Sequence, residues 1–100
     1  MEIICIDASF DINALEFYAI HGVSVPQQDE IYTVRQVIKN IKGSSGVLLN
    51  EIHNPLVPVK CHVLGIKHVE PNWNINRFRT LSGEIVTKEM VYETENSYIY

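Results

Sequence analysis

Six side chains in this sequence could ligate a metal as nitrogen or sulfur donors: Cys5, Cys61, His21, His53, His62 and His68. They are the ligand types of a zinc site, but none shows the paired short spacing that structural zinc motifs use. Cys61 and His62 are adjacent, which on a strand sends them to opposite faces. The residues therefore predict no metal centre, with the imidazoles exposed or hydrogen-bonded and the two thiols buried as small hydrophobes inside the apolar runs Ile3-Ile4-Cys5-Ile6 and Val59-Lys60-Cys61-His62-Val63. Nucleophilic catalysis would need Cys61 or a serine served by a histidine and an aspartate. No Gly-x-Ser-x-Gly elbow is present, and neither cysteine sits in an electropositive sequence setting. Asp7 follows an apolar run and is the one candidate for a perturbed carboxylate, yet an aspartate there more often caps the turn formed by Ala8 and Ser9. No catalytic residue and no cofactor are expected.

Binding chemistry is better represented. Tyr32, Trp73, Arg77, Phe78 and Arg79 combine aromatic faces with guanidinium groups, a set suited to a groove for an extended peptide or to the stacking of bases. The competing reading makes Trp73 and Phe78 core residues and pairs the arginines with Glu51 and Glu70, since a chain of this size needs its large aromatics inside. Lys39, Lys42, Lys60 and Lys67, joined by Arg77 and Arg79, are the alternative contacts for a nucleic-acid backbone. Lys39 and Lys42 precede Gly43-Ser44-Ser45-Gly46, a Gly-x-x-Gly pattern like that with which KH domains clamp nucleic acid. That loop must join two helices, whereas both flanks here are strand-like, so a hairpin turn is expected. It also lacks the Gly-Lys-Ser/Thr ending of a phosphate-binding loop.

Charge bears on the same choice. The net charge of −4 is unevenly spread. Residues 1–30 carry six acids and no Lys or Arg, residues 31–79 carry seven Lys/Arg against two acids, and residues 84–100 carry four acids and one Lys. A weakly basic centre thus lies between acidic ends, which leaves phosphate binding possible but not favoured. The tail places Tyr92, Tyr98 and Tyr100 among Glu93 and Glu95, suiting a solvated end, an added edge strand or a self-association surface. No basic stretch followed by a long apolar one marks a secretion signal, and no apolar run is long enough to span a bilayer, so a cytoplasmic protein without membrane contact is expected.

The elements that must position these residues read mainly as strands in one domain of 100 residues, 46% of them hydrophobic. Met1 to Asp7 predicts a strand. Asp11 to Gly22 predicts a short helical excursion, with Ile12, Leu15 and Ala19 at helical spacing, Ser9 or Asp11 as its cap and Gly22 as its end. Val23 to Gln28, with Pro26, is a connector. Glu30 to Asn40 is rich in β-branched and aromatic residues and predicts a strand that pairs with Val47 to Ile52, which Asn54-Pro55 stops. Leu56 to Val69 continues the β pattern, with Gly65 as a bulge or turn. Glu70-Pro71-Asn72 turns the chain into one helical turn at Asn74-Ile75-Asn76, and Arg79-Thr80-Leu81 closes the sheet. Ser82-Gly83 marks a break, and Glu84 to Tyr92 is ambiguous between helix and strand. Short strands, tight turns and a single-turn helix before the closing strand predict a small SH3-like barrel over residues 1–82, with an acidic, Tyr-containing extension over 83–100.

In that order and spacing, Cys5-Ile6-Asp7, Glu30-Ile31-Tyr32-Thr33-Val34-Arg35, Gly46-Val47-Leu48-Leu49-Asn50-Glu51-Ile52 with Asn54-Pro55, Glu70-Pro71 and Asn76-Arg77-Phe78-Arg79 resemble a group of small uncharacterised phage and prophage proteins. The resemblance covers roughly residues 3–81 and implies the SH3-like barrel without implying an activity. Such sequences often carry Gly just before the Glu-Ile-Tyr-Thr-Val stretch, where this chain has Asp29, a residue that tolerates the left-handed conformation of a tight turn. The expected function is a non-catalytic protein-interaction module, an accessory protein of phage or mobile-element origin, docking a protein partner near Tyr32, Trp73 and Arg77. A nucleic-acid-binding barrel is the alternative, and a homo-oligomer a further expectation.

Overall fold

In a computed structural model of the chain, residues 1–39, 43–61, 65–87, 89–90 and 97–99 are described, residues 61 and 97–99 through their backbone alone. Lys42, His62, Tyr92 and Tyr100 lie outside the described residues.

The longest strand shows how the sequence makes the sheet. In β2 (Ile31–Lys39) the buried residues are Tyr32, Val34, Val37 and Ile38. Strict alternation would turn Val37 away from the face that Tyr32 and Val34 occupy. A bulge between Val34 and Gln36 inserts one residue and returns Val37 to that face, so the core cluster runs unbroken through all three. On one side β2 pairs antiparallel with β1 (Glu2–Cys5), Ile3 opposite Tyr32. On the other it pairs with β3 (Ser45–Leu49), Lys39 opposite Ser45, which makes the expected hairpin. Asp29 leads into β2 at φ +65°, the left-handed conformation expected of the residue in the glycine position.

The chain order after β1 is α1 (Ile12–Ile20), β2, β3, β4 (Val57–Cys61), β5 (Gly65–Val69), β6 (Trp73–Asn74), one 3-10 turn (Ile75–Arg77), β7 (Phe78–Thr80) and β8 (Ser97–Ile99). The main sheet has the path β6-β3-β2-β1-β7, with β8 lying parallel to β2 at Val37–Lys39. The fold is therefore mainly β, with two sheets whose neighbouring strands are antiparallel apart from β8, since β4 and β5 form a separate hairpin. The two ends of the main path, β6 and β7, are not hydrogen-bonded to each other, so the sheet is not closed into a barrel. The chain between them forms the 3-10 turn Ile75–Arg77, and the two end strands are two and three residues long.

Leu56 to Val69 keeps its β pattern, as two strands with Gly65 (φ +79°) opening the second. Two expectations are revised. β3 ends at Leu49, before Asn54-Pro55, and Asn54 instead ties back to Ser24 through two hydrogen bonds of 2.8 and 2.9 Å. α1 is capped by Asp11, whose carboxylate accepts from Ala14 N–H at 2.8 Å, but it turns Ala14, Phe17 and Tyr18 toward the protein and leaves Ile12, Leu15 and Ala19 exposed. Beyond Ser82, Ile85 bridges to Arg79, and Val86 is 2% exposed within the same core as Ile3, Val34, Trp73 and Phe78.

Candidate functional site

Asp7 opens the loop that brings the first aromatic to the site. Its carboxylate accepts from both the N–H and the hydroxyl of Ser9, the turn expected from the sequence, and those bonds hold its carboxyl below the usual range. Arg77, leaving the 3-10 turn, donates to the carbonyls of Asp7 (3.0 Å) and Ser9 (2.7 Å) and lies 3.5 Å from the Asp7 carboxylate. Its carbonyl in turn accepts from Ile6 N–H at 2.8 Å. Arg77 therefore staples the loop to the turn, and its guanidinium stacks 4.0 Å over the Phe10 ring.

Phe10 begins an aromatic group. Phe10, Tyr18 and Trp73 meet edge-to-face with ring centroids 5.5–5.9 Å apart, and Phe17 continues the set to Tyr18 at 6.0 Å and to His21 at 4.3 Å. These rings wall a groove. Its apolar stretch, of about 380 Å³, lies between Ala14, Phe17 and Tyr18 of α1 and Val57, Val59 and Val69 of the hairpin, with Pro71 and Asn72 at its floor. A second stretch of about 270 Å³ shares Ala14, Tyr18 and Asn72 and continues past Trp73 to Asp11, Asn74 and Arg77. Burial raises the Tyr18 hydroxyl above its ordinary pKa, so it stays a neutral donor. Among the described residues, neither that hydroxyl nor the Trp73 indole N–H has a hydrogen-bond partner, and no buried side-chain nitrogen or oxygen is left unsatisfied, so both donors reach the surface.

Of the residues singled out in the sequence, Trp73 and Arg77 are brought together here, with Trp73 only 3% exposed and part of the core cluster, as the competing reading had it. Phe78 is fully buried in the core, and Tyr32 is 6% exposed with its hydroxyl accepting from Gln27 N–H at 2.8 Å. Arg79 turns back to the carbonyls of Asn76 and Phe78. The arginines do not pair with Glu51 and Glu70 as the competing reading had it. Glu70 takes Arg35 in a bidentate pair at 2.7 and 3.3 Å, and Glu51 takes the N–H and hydroxyl of Thr33. Phe10, Phe17 and Tyr18 were missed. The available signal was their aromatic spacing in and beside a capped helix, with Ala14 one turn before Tyr18.

The basic set is dispersed. In the hairpin register Lys67 lies opposite Val59 and Lys60 opposite Ile66, which sends the two lysines to opposite faces. Lys39 is exposed at the end of β2, in the other sheet. Among the described residues no group of three His, Cys, Asp or Glu side chains could hold a metal ion, and no helix is long and apolar enough to cross a membrane. Cys5 is a free, fully buried thiol whose pKa is raised by that burial. Comparisons with protein-family models, curated proteins and solved structures give no match.

Proposed function

We propose that this chain is a non-catalytic protein-interaction module that docks an extended peptide segment of a protein partner in the groove between α1 and the β4–β5 hairpin. The observation that carries the reading is the groove's lining: aromatic and aliphatic walls with two free donors, Tyr18 and Trp73, and no pair of titratable groups poised for proton transfer. Free donors beside aromatic faces suit the unpaired carbonyls of an extended backbone. The scaffold we propose is an SH3-like barrel. The path β6-β3-β2-β1-β7 with one 3-10 turn joining its two ends supports it, and α1 and the hairpin are then insertions after β1 and β3. A role as a cytoplasmic accessory protein of phage or mobile-element origin belongs to the same reading, supported by the resemblance of residues 3–81 and by the free thiol of Cys5.

Trp73 is the chain's single tryptophan, so its emission reports on the groove. Linear peptides selected from a displayed library against the whole chain should bind saturably and shift that emission. Ala14→Glu, which fills the shared waist of the groove and keeps helix propensity, should weaken binding by tenfold or more with the fold intact. Selected peptides that bind Ala14→Glu as well as wild type would overturn the reading. Binding of nucleic acid that falls steeply with salt would favour the Lys39, Lys42, Lys60, Lys67 alternative instead.

A further inference from the structure

The outer face of α1 is largely apolar with Glu16 on it, the outer face of the hairpin sets Ile66 and Pro58 beside Lys60 and His68, and the two faces point away from each other. At 100° per residue, Ile12, Leu15, Glu16, Ala19 and Ile20 fall on one side of α1, diametrically opposite the groove-lining Ala14, Phe17 and Tyr18. Ile12 is 66% and Ile20 80% exposed. In the hairpin, Val57, Val59 and Val69 line the groove, so the paired Pro58, His68, Lys60 and Ile66 occupy the outer face, where Ile66 is 67% exposed. Single exposed aliphatics are ordinary, but Ile12, Leu15 and Ile20 form a contiguous apolar stripe on α1, and on the hairpin Ile66 shares the outer face with Pro58 and Lys60, which gives that stripe an apolar contact with a charge beside it.

Charge selects the occupant. Residues 1–30 contain no Lys or Arg, and the outer helix face carries Glu16 at its centre. The strands Val57–Cys61 and Gly65–Val69 contain no acid, and the outer hairpin face carries Lys60. Helix against helix, or hairpin against hairpin, would juxtapose like charges. Helix against hairpin sets Ile12, Leu15 and Ile20 over Ile66, and Glu16 beside Lys60. We infer that a second copy of this chain docks its hairpin outer face on the outer face of α1, giving a head-to-tail contact. Because the two faces point in opposite directions, a dimer keeps one of each free, and the contact propagates into a ring or a filament. The peptide groove lies on the inner faces and stays open.

Analytical ultracentrifugation of the whole chain over a concentration series tests this. Wild type should grow beyond a dimer as concentration rises, while Ile20→Asp and Ile66→Asp, both at exposed positions, should each stay monomeric with an unchanged circular-dichroism spectrum. Mixed one to one, they should form a complex of twice the monomer mass that grows no further, since only one intact pair of faces remains. Glu16→Lys and Lys60→Glu should each weaken association by about two- to fivefold, and the double variant should recover it. A wild type that stays monomeric to about millimolar concentration overturns the contact, as does a mixture that stays monomeric. An Ile66→Asp variant that still dimerises overturns it in favour of a symmetric helix contact.

Discussion

In the main sheet Ile3, Cys5, Val37, Val47, Leu49 and Phe78 are fully buried, whereas α1 buries none of its nine residues and leaves Ile20 80% exposed. The hairpin sides with the helix: Val57 is buried, but Val59 and Ile66 are exposed. Both regions are comparably apolar in sequence, so hydrophobicity does not separate them. What does is the number of neighbours that each face is given. β2 and β3 are flanked on both edges, while β4 and β5 have only each other and α1 has only a groove. The fully buried residues lie in the sheet, and the exposed apolar surface lies on α1 and the hairpin.

The most direct way to break this contrast is to remove one aromatic from each region. Phe78→Ala empties a fully buried site and should cost about 3–5 kcal/mol in urea unfolding. Phe17→Ala removes a half-exposed ring and should cost about 1 kcal/mol. Equal losses would mean that the helix is part of the same cooperative core.

Arg35 tests the link between the regions. It leaves β2 to reach the carbonyls of Leu49 and Ile52 and the carboxylate of Glu70, and Glu70 also accepts from Asn54 N–H at 3.1 Å. This half-buried pair ties the main sheet to the far end of the hairpin. Arg35→Ala should cost about 2 kcal/mol, and amide exchange of Val57–Val69 should accelerate before that of β2 and β3. Uniform acceleration through both sheets would erase the distinction between them.

Residue type and order foretold the sheet better than α1 and the β4–β5 hairpin. The β2–β3 hairpin, the turn at Asp7, the left-handed Asp29 and the single turn before Phe78 all follow from local rules of branching, capping and φ preference. α1 could be placed and capped by the same rules, but its orientation could not be read. Its outer stripe, Ile12, Leu15 and Ile20, is more hydrophobic than its inner Ala14, Phe17 and Tyr18, and pattern reasoning gives the core to the stronger stripe. Trp73 selects the aromatic side instead, because edge-to-face packing with Phe10 and Tyr18 fills the groove end. The site shared that fate: Trp73 and Arg77 were legible as a pair, whereas Phe10 and Tyr18 reach them from more than 50 residues away in sequence, and no local rule brings them there.

Gly46 separates the groove floor from the sheet beneath it. A Cβ built there would lie 1.8 Å from Asn72 Oδ1, so the Asn72 side chain rests directly on the glycine. Gly46→Ala must expel that side chain from the waist of the groove and should cost about 1–2 kcal/mol, with the Trp73 emission altered and β2–β3 pairing retained. Loss of the β2–β3 pairing itself would show that floor and sheet are one unit.

The smallest expected effect concerns how the sheet ends. Where β3 stops at Leu49, Asn50 N–H still donates to the Thr33 carbonyl, and the Glu51 carboxylate then takes over from the backbone, accepting the Thr33 N–H at 2.8 Å and its hydroxyl at 2.9 Å. Partial burial pushes the Glu51 carboxyl up, but these two hydrogen bonds outweigh it and leave the group below its ordinary 4.5. A carboxylate whose folded pKa is depressed contributes stability above its unfolded pKa and loses it as pH falls through the folded value. Wild type should therefore lose more stability than Glu51→Gln on acidification from about pH 6 to about pH 3, and the two should converge at the acid end. The carboxylate is exposed, so the gap near neutral pH should be no more than about 1 kcal/mol after screening. A gap that is constant with pH would mean that the amide replaces the carboxylate fully and that the sheet edge is held by geometry rather than charge.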